Sequence, residues 1–146
     1  MESIEIALTT GSRLVTDVTQ EVAGFCAGKG DGLCHVFAPH ATAGLAVMEL
    51  GAGSEADLEE VLGRALPRDD RYRHRHGSRG HGGDHVLPVF ISPSLVLAVR
   101  DGAPVLGTWQ SIVFVDPNTD NPRRTLQLHF VSDGASPAPP AGKTAP

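Results

Sequence analysis

Ser94-Leu-Val-Leu-Ala-Val-Arg100-Asp-Gly102-Ala-Pro-Val-Leu-Gly107-Thr-Trp109-Gln110-Ser-Ile112-Val-Phe-Val115 is the stretch that decides the fold. Leu95, Leu97 and Val99 alternate with Val96 and Ala98, the two-residue period of a strand, and Asp101-Gly102 marks a turn. Residues 106–115 then read as a long returning strand that contains the only tryptophan, Trp109. Working outward, Leu126, Leu128 and Phe130 alternate with Thr125, Gln127 and His129 in a last strand. Near the start, Ile4, Ile6 and Leu8 alternate with Ser3, Glu5 and Ala7. The short apolar run 33–38, bounded by Gly32 and Pro39, is a strand by its length and its breakers; a second apolar run covers 45–50.

Helical periodicity is confined to two places. Val18, Val22, Phe25 and Cys26 share one face behind a cap at Thr16 or Asp17, with Gly28 and Gly30 ending the helix. Leu58, Val61, Leu62 and Ala65 share another face, where Ser54 and Asp57 come close to a capping box and Pro67 stops the helix. The expectation is an α+β fold with largely antiparallel or mixed sheets and two or three helices. One domain is expected over residues 1–134, because 135–146 (A-S-P-A-P-P-A-G-K-T-A-P) has no periodicity and reads as a disordered tail.

A formal charge of −5 argues against a general nucleic-acid partner, which needs a basic face to neutralise phosphates. It leaves room for a small basic pocket: Arg100, Arg123 and Arg124, or Arg71, Arg73, Arg75 and Arg79, line one or form a solvated surface. No stretch approaches the roughly 20 apolar residues of a membrane span. The acidic start, Met-Glu-Ser-Ile-Glu, lacks a signal-peptide layout. Cys26 and Cys34 are the only cysteines and read as buried reduced thiols, so a cytoplasmic setting is expected.

Residues 68–84 form a polar segment rich in Gly, Arg and His, and four of the seven histidines fall in or beside it: His74, His76, His81 and His85. A loop this long is usually functional or mobile. His40 follows Pro39 at a strand end, among small residues, where a side chain projects into a cleft. Three imidazoles, His40, His74 and His85, meeting at one point would leave a fourth metal position open, as in catalytic zinc sites. The competing reading is a solvated histidine cluster. The spacing from His81 to His85 lacks the His-Glu-x-x-His pattern. His35 reads as a core or interface residue and His129 as facing solvent. Trp109 is a core or subunit-interface anchor, Gln110 is open, and Glu49 is either a surface residue or a partner orienting a histidine.

Taken together, several segments resemble the YjbQ family, often labelled the secondary thiamine-phosphate synthase enzyme family. Ser94 to Ile112, with its Gly107-Thr-Trp-Gln110 core, looks like that family's signature. His40-Ala-Thr42-Ala-Gly-Leu45, followed by Glu49, is similar to its His-Thr-Ser/Ala segment. Asp57-Leu58, Tyr72-Arg-His74 and Asp84-His85 resemble its remaining motifs, so the resemblance runs from about Ile4 to Gly134. It implies a homotrimeric α+β fold and a pocket holding His40, His74 and His85, where a divalent metal such as zinc would bind. It further implies a weak thiamine-phosphate synthase activity, joining a pyrimidine diphosphate to a thiazole phosphate with release of pyrophosphate. On that basis His40, His74, His85 and Glu49 are the expected catalytic residues, the three histidines the metal ligands, and Thr42, Gln110 and Arg124 the contacts to a small phosphorylated substrate. Arg75 and Leu87 stand where the family carries an acidic and a basic residue, and 50–53 lacks its usual acid. The reading is an enzyme of this transferase type; the alternative is a non-enzymatic trimeric metal- or metabolite-binding module.

Overall fold

A run such as Ile112-Val-Phe-Val115, apolar at every position, belongs in a strand covered on both faces. The computed structural model describes residues 1–134 and puts it there, all four side chains fully buried; the expected tail, 135–146, lies outside the described residues. Chain order is β1 (Glu2–Thr9), β2 (Val15–Asp17), α1 (Thr19–Cys26), β3 (Gly32–Phe37), β4 (Gly44–Met48) and α2 (Ser54–Ala65). Two one-turn helices follow, α3 (His81–Asp84) and α4 (Leu87–Phe90), then β5 (Ser94–Arg100), β6 (Ala103–Pro104), β7 (Ser111–Val115) and β8 (Arg123–Ser132). The fold is α+β, with two antiparallel sheets: a five-stranded one ordered β1-β8-β3-β5-β6 and a three-stranded one ordered β2-β7-β4.

Strand alternation sets the layers. Cys34, Val36, Leu97, Val99, Leu126, Leu128 and Phe130 point from the large sheet into the main core. They meet Leu45, Ile112 and Phe114 from the small sheet, and Val18, Val22 and Phe25 from α1. The opposite face of β7, Val113 and Val115, joins Leu87 in a second cluster against Leu58, Leu62 and Leu66 of the α2 region. Leu87 therefore fills core volume at the position where the resemblance implied a basic residue. Cys26 and Cys34 lie inside the main core as free thiols. Burial, then the neighbouring Cys26, pushes the Cys34 thiol up to about 12. The outer face of the large sheet is uncovered: Leu33, Val96 and Val131 are exposed there, and His35 stacks on His129 with ring centroids 5.5 Å apart.

Local details differ from expectation in three places. The long strand expected over 106–115 begins only at Ser111. Before it, Gln110 closes a tight turn, its backbone N–H donating to the Gly107 carbonyl at 3.0 Å and its side-chain oxygen accepting from the Gly107 N–H at 2.7 Å. That turn leaves Trp109 74% exposed, so it is not a core anchor. Helix α2 is entered through Gly53 rather than a Ser54 cap, and Glu55 folds back to accept from the Gly51 N–H. Asp17 does serve α1, accepting from the Thr19 N–H at 2.9 Å. No helix of the described residues is long and apolar enough to cross a membrane.

Phe114 carries the load between the sheets. Phe114→Ala is expected to cost about 3–5 kcal/mol of folding stability in denaturant titrations; a loss below about 1 kcal/mol would mean that the sheets do not pack through it.

Candidate metal centre

The site is built on the loop that joins β7 to β8. Asp116, buried at the end of β7, accepts three hydrogen bonds: from the Thr42 hydroxyl at 3.0 Å, from the Asn118 N–H at 3.0 Å, and from the Arg124 Nε at 2.6 Å. Arg124 is itself only 6% exposed, so this is an ion pair held out of water. Asn118 carries the chain of contacts onward. Its side-chain oxygen accepts from the Asp120 N–H at 2.7 Å, which fixes the amide so that its nitrogen faces the His81 Nδ1 at 3.1 Å. The Asp120 carboxylate in turn accepts from the Ser78 N–H at 3.0 Å, fastening the histidine loop to the β7–β8 loop.

The polar segment folds back on itself because its glycines permit close crossings. A Cβ on Gly82 would lie 2.5 Å from the Tyr72 Cβ and 2.8 Å from the His74 carbonyl. Arg68 donates to the Asp84 Oδ1 at 2.6 Å and to the Pro117 carbonyl at 2.8 Å, closing the base of the loop. Within α3 and its C-cap, His81 and His85 are four residues apart, so both project from one side. Their Nε2 atoms are 2.7 Å apart. His74 and His76 come in from the loop, with ring centroids 4.3 Å (His74) and 5.6 Å (His76) from that of His85. The four imidazoles can each offer a nitrogen with all four nitrogens within 4.8 Å of one another.

Of the expected metal ligands, His74 and His85 are therefore brought together; their companions are His76 and His81, not His40. The reason is local. The His40 Nε2 lies 2.9 Å from the Thr125 backbone nitrogen and 3.1 Å from the Thr125 carbonyl oxygen, so that ring nitrogen is engaged by the backbone of β8. The ring also packs edge-on against Phe114, centroids 6.1 Å apart. His40 nevertheless shares a cavity with the cluster: about 430 Å³, lined by His40, Thr42, Arg124, His76, His81 and His85 among others. A larger cavity, about 810 Å³, runs under α2 and is walled by Arg68 and Asp84, but it contains no histidine. Glu49 is exposed beyond the end of β4, and Gln110 is exposed and engaged in its own turn; neither lines the histidine cavity.

Sequence reasoning missed Asp116, Asn118, Asp120 and the ligand-like placement of His76 and His81. The i, i+4 spacing of His81 and His85 was a readable signal. So was the run Asp116-Pro-Asn118-Thr-Asp120-Asn-Pro, whose side chains favour local hydrogen-bonded turns.

Electrostatically His40, His74 and His85 favour the neutral state. Burial lowers the His40 pKa, with Arg124 adding to the effect against Thr125 and Asp116. Loss of hydration, then the neighbouring rings, lowers His74 and His85. Burial raises Asp84, whose Oδ2 is fully enclosed without a hydrogen-bond partner, 3.7 Å from the His81 Nδ1.

A family model described as "UPF0047 protein YjbQ-like" matches residues 4–133. A UPF0047 protein of Mycobacterium tuberculosis strain H37Rv, Rv2556c, is 56% identical over 131 residues, 90% of this chain and 98% of that protein. Among solved structures, a hypothetical protein of Aeropyrum pernix K1, APE1520, aligns with a TM-score of 0.80 at 31% identity, covering 91% of this chain and all of that one. A YbjQ-like protein of unknown function from Sulfolobus solfataricus P2, SSO2532, shares the fold with a TM-score of 0.82 at 21% identity, covering 90% of this chain and 97% of that one.

The lowered histidine pKa values fix the sign of an acid response. The unfolded chain binds protons near the ordinary value of 6.5, while the folded rings resist them. Stability is therefore full above 6.5 and falls as the pH drops toward the folded values. In chelator, the thermal midpoint should fall between pH 7.5 and pH 5 (roughly the histidine range). His40→Gln should make that fall shallower, and a midpoint that is flat or rises on acidification would contradict the assignment.

Proposed function

The chain belongs to the YjbQ-like UPF0047 family, and from that premise we propose that His74, His76, His81 and His85 hold a divalent metal ion beside a pocket for a small phosphorylated molecule. The donor set fits. Imidazole nitrogens suit zinc, and a tetrahedral zinc with Zn–N of about 2.0–2.1 Å needs nitrogens roughly 3.4 Å apart.

One observation carries the reading: the enclosed Asp84 Oδ2 has no hydrogen-bond partner. A buried acceptor left this way is costly. Asn118 now donates to the His81 Nδ1, so the His81 proton sits on Nε2, facing His85. Ligation through Nε2 requires the other tautomer, with the proton on Nδ1. Asp120 Oδ2 at 3.4 Å and Asp84 Oδ2 at 3.7 Å are the acceptors for it, the carboxylate–histidine support that metal sites use.

When bound, a divalent ion supplies charge neutralisation for phosphate oxygens. The remaining parts belong to the chain. Asp116 takes one of the five N–H groups of Arg124, leaving the others for a phosphate in the cavity. His40 adds a polar ring to the same cavity, and Thr42, anchored by Asp116, shapes the wall between them. Such a pocket stabilises a departing pyrophosphate electrostatically, as the transferase reaction implied by the resemblance requires, with a pyrimidine diphosphate and a thiazole phosphate as its reactants. The second reading is a metal- or metabolite-binding module without turnover. It is favoured by Glu49 and Gln110 lying outside the cavity and by four imidazoles filling a tetrahedral set. A homotrimer belongs to both readings, and the exposed Leu33, Val96 and Val131 give the uncovered sheet face an apolar surface for it.

Chelator-free protein supplied with zinc is expected to retain about one ion per chain by elemental analysis, and His85→Ala to lose it with its fold intact. Retention of no zinc by the parent would overturn the metal centre. Pyrophosphate release from the paired substrates would select the transferase; saturable phosphate binding without release would select the module. Light scattering should give three times the 15.3 kDa chain mass, and a monomer would remove the trimer.

A further inference from the structure

Resting on that metal-centre reading, we infer that the four histidines divide into three fixed ligands and one displaceable ligand, and that His76 is the one a phosphate oxygen replaces. The four are held very differently. His81 is 7% exposed, with the Asp120 and Asp84 carboxylates 3.4 and 3.7 Å from its Nδ1, and His85 is half-buried on the C-cap of α3. His74 is exposed, but its carbonyl is packed against Gly82, where even a methyl group would sit 2.8 Å away. His76 is exposed, on the loop, with no side-chain hydrogen bond among the described residues.

Position separates them as well. His76 lines the cavity that contains Arg124, Thr42 and His40; His74 does not. His76 thus stands between the cluster and the groups suited to an anion. The residue after it supplies the pivot. Gly77 has a φ of +80°, and a Cβ there would meet the His81 ring at 2.9 Å, so the chain turns at that point because no side chain is present. The residue before it, Arg75, is exposed and without an ion-pair partner among the described residues.

His74, His81 and His85 would keep the ion. The His76 imidazole would leave it neutral, taking its electron pair, and a phosphate oxygen would donate a pair in its place, its charge met by Arg124 in the cavity. Exchange of one ligand would reconcile a full imidazole set with a site that needs room for substrate.

The test loads the full-length protein with cobalt(II) and follows its visible absorption during titration with inorganic phosphate. The parent spectrum should change saturably as nitrogen is exchanged for oxygen. His76→Ala and His76→Gln should keep cobalt within about tenfold of the parent affinity, whereas His85→Ala should lose more than about a hundredfold, beyond what removal of an outer hydrogen-bond partner costs. Both His76 variants should also bind phosphate more tightly, because no ligand must leave. Loss of cobalt from them equal to that of His85→Ala would overturn the division, and so would phosphate binding to the parent with an unchanged spectrum. Failure of the parent to bind cobalt at all would instead remove the metal centre and this inference with it.

Discussion

The site depends on one buried carboxylate. Asp116 directly follows β7, with Thr42, Asn118 and Arg124 all donating to it, and each of those residues comes from a different part of the fold: the end of the Pro39 loop, the β7–β8 loop and the start of β8. Hydrogen bonds to a charged acceptor contribute about 1.5–3 kcal/mol each. Their greater importance is positional. Without Asp116, Arg124 becomes an uncompensated buried charge, Thr42 loses its anchor, and Asn118 loses the turn that holds His81. The carboxylate is placed by β7, which is itself fixed by burial on both faces, so hydrophobic packing ultimately aims the polar groups.

Much of this fold was legible in the chain because its signals are local. Period-two alternation in β1, β5 and β8, and helical periodicity in α1 and α2, follow from which face is buried. The errors came where side chains override pattern. The stretch 106–110 is apolar enough to read as strand, yet the Gln110 side chain satisfies the Gly107 N–H and turns the backbone. Glu55, not Ser54, serves the entry to α2. The histidine segment stood out by composition and length, but which rings would meet did not. His40 is held apart from His74 and His85 by the backbone of Thr125, a residue 85 positions away. No pattern within either segment encodes that contact.

The division between cluster and cavity also bears on the residues that flank the histidines. Arg75 is exposed on the loop next to His76. Leu87, two residues after His85, is fully buried in the second hydrophobic cluster. The loop side of the cluster thus carries charge, while the α4 side is packing.

The two thiols, sealed inside the main core, are withheld from chemistry at the surface. Cysteine sulfur is the donor that captures cuprous copper and stabilises iron–sulfur assemblies. Here both sulfurs are enclosed, and burial keeps Cys34 protonated up to about 12. The sandwich that excludes water from Cys26 and Cys34 therefore also keeps the chain's thiols out of reach of soft ions in solution.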